Sequence, residues 1–232
     1  MKKQLIILHG ALGSAKQFES LKEGLKEQYD VFTFDFDGHG NGNSTDTMSI
    51  ELFTENLRAF VEKNNLEKAT VFGYSMGGYV ALYLQSQQPE LFQSILTLGT
   101  KFNWTIESSE KEVAMLSQAK IKEKVPAFAT YLGEIQSPKN WETVMEQTKG
   151  LMLDLGMNPI ITAEELKRIS IPVTICVGEL DKMVSLEESN WAMESITKGK
   201  FEIIDGIPHP IQQISTSDLV KMIERYVVDS TI

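Results

Sequence analysis

What this sequence has little of excludes several classes of protein. It contains one cysteine in 232 residues, so no internal disulfide is possible, and the apolar run around Cys176 predicts a small buried side chain. No apolar stretch approaches the ~20 residues that a membrane-spanning helix needs. The net charge of −10 disfavours nucleic acid or an anionic membrane surface as a partner, since both require clustered Lys and Arg. A small molecule, apolar or neutral, is the favoured ligand.

Targeting and cofactor motifs are also scarce. The N-terminal apolar run covers only Leu5–Leu8, which is too short for a signal peptide and is interpreted as a strand. A soluble, cytoplasmic protein is expected, and its oligomeric state stays open. The sequence has no His-Glu-x-x-His motif, no cysteine pair and no phosphate-binding Gly-Lys-Ser/Thr loop, so neither a metal nor an organic cofactor is expected.

Short apolar runs alternate with helix-like segments along most of the chain. Nearly continuous runs predict strands at Gln4–Leu8, Val31–Phe36, Ala69–Tyr74, Ser94–Leu98, Val173–Val177 and Phe201–Ile204. Apolar residues at helical spacing predict helices over 15–28, 49–64, 79–88, 186–197 and 215–228. The alternation predicts an α/β fold with a mostly parallel sheet of about six strands and helices on both faces.

One segment departs from this alternation. Residues 101–170 separate two predicted strands, and a structureless loop of that length is improbable in a compact domain. We therefore predict a core domain of residues 1–100 and 171–232 with an inserted helical cap at 101–170. Within the cap, helices are predicted at Ser109–Lys124, Val125–Gln136, Lys139–Leu155 and Thr162–Ile169.

The most informative motif is Gly-x-Ser-x-Gly at residues 73–77, after a strand-like run and before a helix-like run. A serine at such a turn stands exposed at the carboxyl edge of a sheet, and the positive end of the following helix favours negative charge beside it. We interpret Ser75 as a nucleophile, the alternative being an ordinary helix N-cap serine.

A serine hydroxyl needs a base, usually a histidine that is held by a carboxylate. The sequence has three histidines, His9, His39 and His209, and each follows a predicted strand. All three are therefore candidates for a position near the carboxyl edge of the sheet, and location alone does not choose among them.

These motifs in this order resemble the α/β-hydrolase superfamily. The resemblance rests on His9-Gly10, the glycine-rich loop at 35–44, the elbow at 73–78, Gly-Glu-Leu-Asp at 178–181 and His209. It covers the chain outside residues 101–170, which correspond to the variable cap. The family usually begins with an extra β-hairpin that is missing here, and Asn41-Gly42 extends the glycine-rich loop beyond the usual spacing.

The resemblance assigns roles to the candidate residues. In the family the catalytic residues follow the order serine, acid, histidine, and His209 alone among the histidines lies after Ser75. Asp181, beyond the strand before the last one, is the favoured acid. Its rivals are Glu179 in the same loop and Asp205, and a surface turn aspartate is the alternative for Asp181 itself.

The resemblance also implies an oxyanion hole. Its donors would be the backbone N–H groups of Ala11 and Met76, with Leu12 as a neighbouring possibility for the first. His9 and His39 would then shape loops instead of acting as bases.

Large apolar residues of the cap are candidates for a substrate pocket. Trp104, Phe128, Trp141 and Met145 are the proposed substrate-binding residues, and the alternative is that such residues form the cap's own small core. The cationic residues of the segment are all lysines until Arg168, which disfavours a bidentate carboxylate clamp.

The sequence thus predicts a serine hydrolase that cleaves a small carboxylic ester or thioester through an acyl-enzyme. Amide or carbon–carbon bond hydrolysis on the same three residues is the alternative within enzymes. A ligand receptor or pseudoenzyme is the alternative outside them, since function lies in the site and not in the fold.

Overall fold

The computed structural model describes residues 2–227, in which a six-stranded parallel sheet forms the centre. The strands are β1 Lys3–Leu8, β2 Tyr29–Thr33, β3 Thr70–Tyr74, β4 Ser94–Leu98, β5 Val173–Gly178 and β6 Gly199–Ile204. They lie in the order β2-β1-β3-β4-β5-β6, and every neighbouring pair is parallel. The predicted fold class is confirmed.

Helices cover both faces of this sheet. Along β1, Leu5 and Ile7 pack into one apolar cluster while Ile6 and Leu8 pack into another, because successive side chains of a strand point to opposite faces. Burial on both faces explains the unbroken apolar runs. The helices of the core are α1 Glu19–Leu25, α2 Ile50–Asn64, α3 Met76–Gln87, α9 Leu186–Glu194 and α10 Thr216–Tyr226. Helices α1 and α10 lie on one face, and α2, α3 and α9 lie on the other.

Two predicted bounds need comment. Strand β2 was expected to reach Phe36 but ends at Thr33, because the Phe36 N–H donates to His9 Nε2 at 3.2 Å instead of joining the sheet. The last helix was expected over 215–228 and ends at Tyr226, while residue 228 lies outside the described residues.

Five helices fill the segment between β4 and β5, where four were predicted. They are α4 Ile106–Met115, α5 Gln118–Lys124, α6 Pro126–Gln136, α7 Trp141–Met157 and α8 Ala163–Lys167. The helix predicted at 109–124 is divided, because Leu116 leaves the helical conformation and Ser117 caps α5 by accepting the Lys120 N–H. We propose that these helices form the cap predicted at 101–170.

The strand order places a crevice at one edge of the sheet. Strand β1 lies between β2 and β3, so the chain runs outward in opposite directions from this point. Ligands of open α/β sheets bind at the carboxyl ends of the strands at such a reversal. The turn after β1 and Ser75 after β3 meet there. None of the helices in residues 2–227 combines the length and the apolar character needed to span a bilayer.

Candidate active site

Ser75 lies in a sharp turn between β3 and α3. Its backbone has φ 50° and ψ −117°, a conformation that an L-residue rarely adopts. The turn depends on close backbone approach, since a Cβ on Gly77 would come within 2.7 Å of the His9 carbonyl oxygen. A Cβ on Gly73 would collide with the backbone of Gly78. Such strain, held by the surrounding packing, is typical of functional sites.

The structure brings Ser75, His209 and Asp181 together in one line. Ser75 Oγ lies 3.4 Å from His209 Nε2, and His209 Nδ1 lies 2.7 Å from Asp181 Oδ2. An ionised carboxylate only accepts hydrogen bonds, so Nδ1 carries a proton, and in the neutral imidazole Nε2 is then the acceptor that faces the serine. A serine with an adjacent base, itself oriented by an acid, is the arrangement that activates a hydroxyl nucleophile.

Asp181 is held as an anion by its surroundings. Burial would raise the pKa of this carboxyl, but the hydrogen bond and charge of His209 and the backbone N–H groups of Val184 and Met183 together lower it. The two N–H groups donate to Oδ1 at 3.0 and 2.8 Å, leaving Oδ2 for the histidine. One oxygen therefore fixes the loop and the other orients the imidazole.

The rival acids lie elsewhere. Glu179 accepts the Gly206 N–H through Oε2 at 2.9 Å, and Asp205 is exposed beyond β6. Asp181 is the acid placed against His209.

His209 is held from several sides. Its backbone carbonyl accepts a 2.8 Å hydrogen bond from the Tyr74 hydroxyl. A Cβ on Gly99, at the end of β4, would lie 3.2 Å from both His209 Nδ1 and Asp181 Oδ2, and Gly99 has φ +64°. Glycine at this position therefore leaves room for the hydrogen bond between His209 and Asp181.

Ala11, Leu12 and Met76 line the same cavity as Ser75. Met76 is the first residue of α3, whose N-terminal N–H groups lack intrahelical partners. Within residues 2–227, the N–H groups of Ala11 and Met76 have no hydrogen-bond acceptor. The Leu12 N–H also lacks one, so its alternative role stays open.

His9 and His39 are fully buried and do not line the cavity. His9 Nδ1 donates to the Gly10 carbonyl at 2.9 Å, while Nε2 accepts the Phe36 N–H, so the ring is neutral. Burial lowers the pKa of His9, and it lowers the pKa of His39 well below its usual range, with His9 adding to the effect. The two rings lie in neighbouring loops, with their centroids 4.9 Å apart.

A cavity of about 230 Å³ opens above Ser75. Two of the four proposed substrate-binding residues, Trp104 and Phe128, line it, and the helical segment also supplies Leu116, Tyr131, Leu132, Leu151, Met152 and Leu155. Trp141 and Met145 do not line it. They pack with Ile121 and Ile135 in an apolar cluster of the helical segment, because the helices must bury their own inner faces. The cavity-lining residues Leu132 and Phe128 adjoin the same cluster.

Two polar features of the cavity wall were not predicted from the sequence. Lys101 lines the cavity although most of its side chain is buried. Its Nζ lies 3.5 Å from Glu112 Oε1. Gln17 Nε2 donates to the Tyr131 hydroxyl at 2.8 Å. Gln17 and Tyr131 are 114 residues apart, and Lys101 lies outside the helix that carries Glu112, so no helical or strand periodicity indicated either contact. Residues 2–227 contain no cluster of three or more His, Cys, Asp or Glu side chains able to hold a metal ion.

Comparisons with known proteins bear on the family and the fold. The sequence model of one protein family, the alpha/beta hydrolase fold family, matches residues 3–119. The chain is 26% identical over 193 residues to 3-oxoadipate enol-lactonase 1 of Acinetobacter baylyi, which covers 78% of this chain and 72% of that protein. It is 32% identical over 100 residues to ethanol acetyltransferase 1 of Hanseniaspora uvarum, covering 42% of this chain and only 30% of that protein.

Solved structures show the same fold. A putative lipase from Acinetobacter baumannii superposes with a TM-score of 0.79 and 20% identity, covering 97% of this chain and 83% of that one. A thermophilic esterase from Thermogutta terrifontis superposes with a TM-score of 0.77 and 18% identity, covering 98% and 90%.

Proposed function

The chain belongs to the α/β-hydrolase fold family and is a hydrolase, and from this premise we propose that it cleaves a small carboxylic ester or thioester through an acyl-enzyme. The observation that carries the proposal is the line of hydrogen bonds from Ser75 through His209 to Asp181, at 3.4 and 2.7 Å. Lactonase and acetyltransferase, in the names of the two relatives, both denote chemistry at an acyl carbonyl, which supports it.

The proposed first half-reaction forms an acyl-serine. Ser75 Oγ attacks the carbonyl carbon while His209 Nε2 takes the hydroxyl proton. The backbone N–H groups of Ala11 and Met76 would donate to the oxyanion of the tetrahedral intermediate. When that intermediate collapses, the carbonyl C–O or C–S bond breaks, and the alcohol or thiol leaves with the proton from His209.

The second half-reaction restores the enzyme. Water gives a proton to His209 and attacks the acyl carbon, and Ser75 leaves with that proton as the carboxylic acid is released. Throughout, Asp181 keeps the imidazole oriented and stabilises its protonated form. No cofactor takes part in this sequence.

The cavity supports a small, largely apolar acyl group. Its volume of about 230 Å³ lies below the roughly 300–1,000 Å³ of sites for drug-sized ligands. Most of the lining side chains are aliphatic, aromatic or methionine, which suits a neutral substrate. Methionine side chains such as Met152 adapt to irregular shapes.

The test is intact-protein mass spectrometry after exposure to a fluorophosphonate, which phosphonylates an activated serine and releases fluoride. We expect one adduct on the wild type and none on Ser75→Ala. Hydrolysis of a graded series of small acyl esters, each compared with its matched amide, then measures the acyl length and bond type preferred. An adduct that persists in Ser75→Ala would contradict the nucleophile, and an unlabelled, inactive wild type would favour a receptor or pseudoenzyme.

A further inference from the structure

Gln136 links the helical segment to the turn that follows β1. It is the last residue of α6, and its side chain is fully buried. Its Nε2 donates to the carbonyl oxygens of Leu12 and Gly13 at 2.8 and 2.7 Å, and its Oε1 accepts the Gly40 N–H at 3.0 Å. Both donor hydrogens and the acceptor are therefore used, all on backbone groups outside the helical segment.

These hydrogen bonds continue to Ala11. The Leu12 carbonyl belongs to the same peptide group as the Gly13 N–H, which donates to the Gly10 carbonyl at 3.0 Å. The Gly10 carbonyl in turn belongs to the same peptide group as the Ala11 N–H. A continuous chain of two peptide groups thus connects the Gln136 amide to Ala11. Hydrogen bonds in such chains polarise one another, so each donor strengthens the next.

The turn also needs support for its conformation. Leu12 has φ 58°, in the left-handed region that a leucine rarely adopts. A residue stays in that region only when its surroundings hold it there. Gln136 binds the carbonyl of Leu12 itself, and a rotation of Leu12 out of this region would turn the adjoining peptide groups away from their partners.

We propose that Gln136 is a positioning residue for the oxyanion hole, which orients and polarises the peptide group that carries the Ala11 N–H. The proposal rests on the proposed function, because it takes Ala11 as an oxyanion donor. On this proposal the helical segment has two roles: it forms part of the cavity wall, and through the Gln136 amide of α6 it helps to orient an oxyanion donor.

The test replaces the amide with a side chain of nearly the same shape. Gln136→Met keeps the side-chain length but removes both donors and the acceptor. Gln118→Met is the matched control, because Gln118 also lies in the helical segment but its Nε2 donates to the Glu142 carbonyl and to Glu146, away from the turn. For each protein, kcat and KM are measured on a small aryl ester, per active site counted by fluorophosphonate titration.

We expect Gln136→Met to lower kcat per titrated site about 10- to 100-fold, with KM within about twofold of wild type. Removal of a whole oxyanion donor costs on the order of 10²–10³ in rate, and misalignment of one should cost less. An interaction made in the transition state lowers kcat without raising KM, whereas looser substrate binding raises KM. Gln118→Met should match the wild type.

Three results would overturn the proposal: a kcat for Gln136→Met within about threefold of wild type, a loss confined to KM, or an equal loss in Gln118→Met. If Gln136→Met does not fold, Gln136→Glu takes its place with the same measurements, since it keeps an acceptor for the Gly40 N–H but loses the amide donors. Failure of the proposed function is distinguishable, because the wild type would then neither label nor hydrolyse the ester.

Discussion

Asp181 accepts a 2.7 Å hydrogen bond from His209 although its own side chain is only 1% exposed. The carboxylate is nearly removed from water, so its hydrogen bonds come from the protein. Met183 and Val184 hold one oxygen and His209 takes the other. The orientation of the imidazole therefore depends on which hydrogen-bonding groups residue 181 presents.

Asp181→Asn is expected to lower kcat on the order of 10³–10⁴-fold with the fold intact. An amide NH₂ facing Nδ1 favours the tautomer in which Nε2 carries the proton, and that nitrogen then no longer accepts from Ser75. Steady-state kinetics on a small ester measures the loss. Glu179→Gln and Asp205→Asn are the controls and should keep wild-type kcat. A large loss at either control and none at Asp181 would reassign the acid.

Variants of Phe128 and Met145 distinguish a residue of the cavity wall from a residue of the internal core. Phe128 lines the cavity, so Phe128→Ala should enlarge it and raise kcat/KM for longer acyl chains relative to short ones. Met145 does not line the cavity and is fully buried in an apolar cluster of the helical segment, so Met145→Ala should lower the free energy of unfolding by about 2–5 kcal/mol and leave the chain-length preference unchanged. A graded ester series and urea unfolding measure both effects. A shift in chain-length preference for Met145→Ala would contradict this division.

Lys101 and Glu112 form an ion pair whose side chains are only 9% and 5% exposed, with Nζ and Oε1 3.5 Å apart. Glu112→Gln leaves a buried ammonium without its counter-charge, so the free energy of unfolding should fall by about 3–5 kcal/mol. Replacing both residues with apolar ones, as Lys101→Met with Glu112→Leu, should recover most of that loss. Urea unfolding is measured instead of activity. Lys101 also lines the cavity, so its replacement would change activity for a second reason. A double variant less stable than Glu112→Gln would contradict the argument.

Stability should fall in mild acid because of the buried histidines. The pKa values of His9 and His39 are lowered in the folded protein, so below about pH 6.5 the unfolded chain binds more protons than the folded one. Each histidine then removes about 1.4 kcal/mol of unfolding free energy per pH unit until its folded pKa is reached. His39→Leu should reduce this slope between about pH 6.5 and 5, as measured by urea unfolding at a series of pH values. If the unfolding free energy of the variant and of the wild type changed equally with pH over this range, the prediction would be wrong.

Local patterns predicted most of the fold and the positions of the candidate catalytic residues. Strand β4 matches its predicted bounds, and the other strands differ by a few residues at their ends. Ser75 was indicated by the glycines around it, because the turn has no room for a Cβ atom at those positions. Asp181 and His209 follow strands β5 and β6, so topology alone placed them near one edge. Their catalytic roles remain proposals.

The cavity wall was less predictable. Trp104 and Trp141 are both tryptophans of the same segment, yet Trp104 lines the cavity and Trp141 packs against the apolar cluster that contains Ile135. Trp104 precedes α4 and Trp141 begins α7, so the difference arises from how the helices of the segment pack together, which no periodicity specifies. Gln136 carried no signal, because a glutamine at the end of a helix is ordinarily exposed.

The sequence by itself determined the alternation of strands and helices, the sharp turn at Ser75 and the family. Hydrophobic periodicity and the need for glycine in a turn involve only a few consecutive residues, so both can be recognised in the sequence. Only the tertiary structure decided which side chains meet. Ser75 and His209 are 134 residues apart, and Gln136 and Leu12 are 124 apart. Such contacts depend on the order of strands in the sheet and on the packing of helices, because distant residues are brought together only when the whole core is buried.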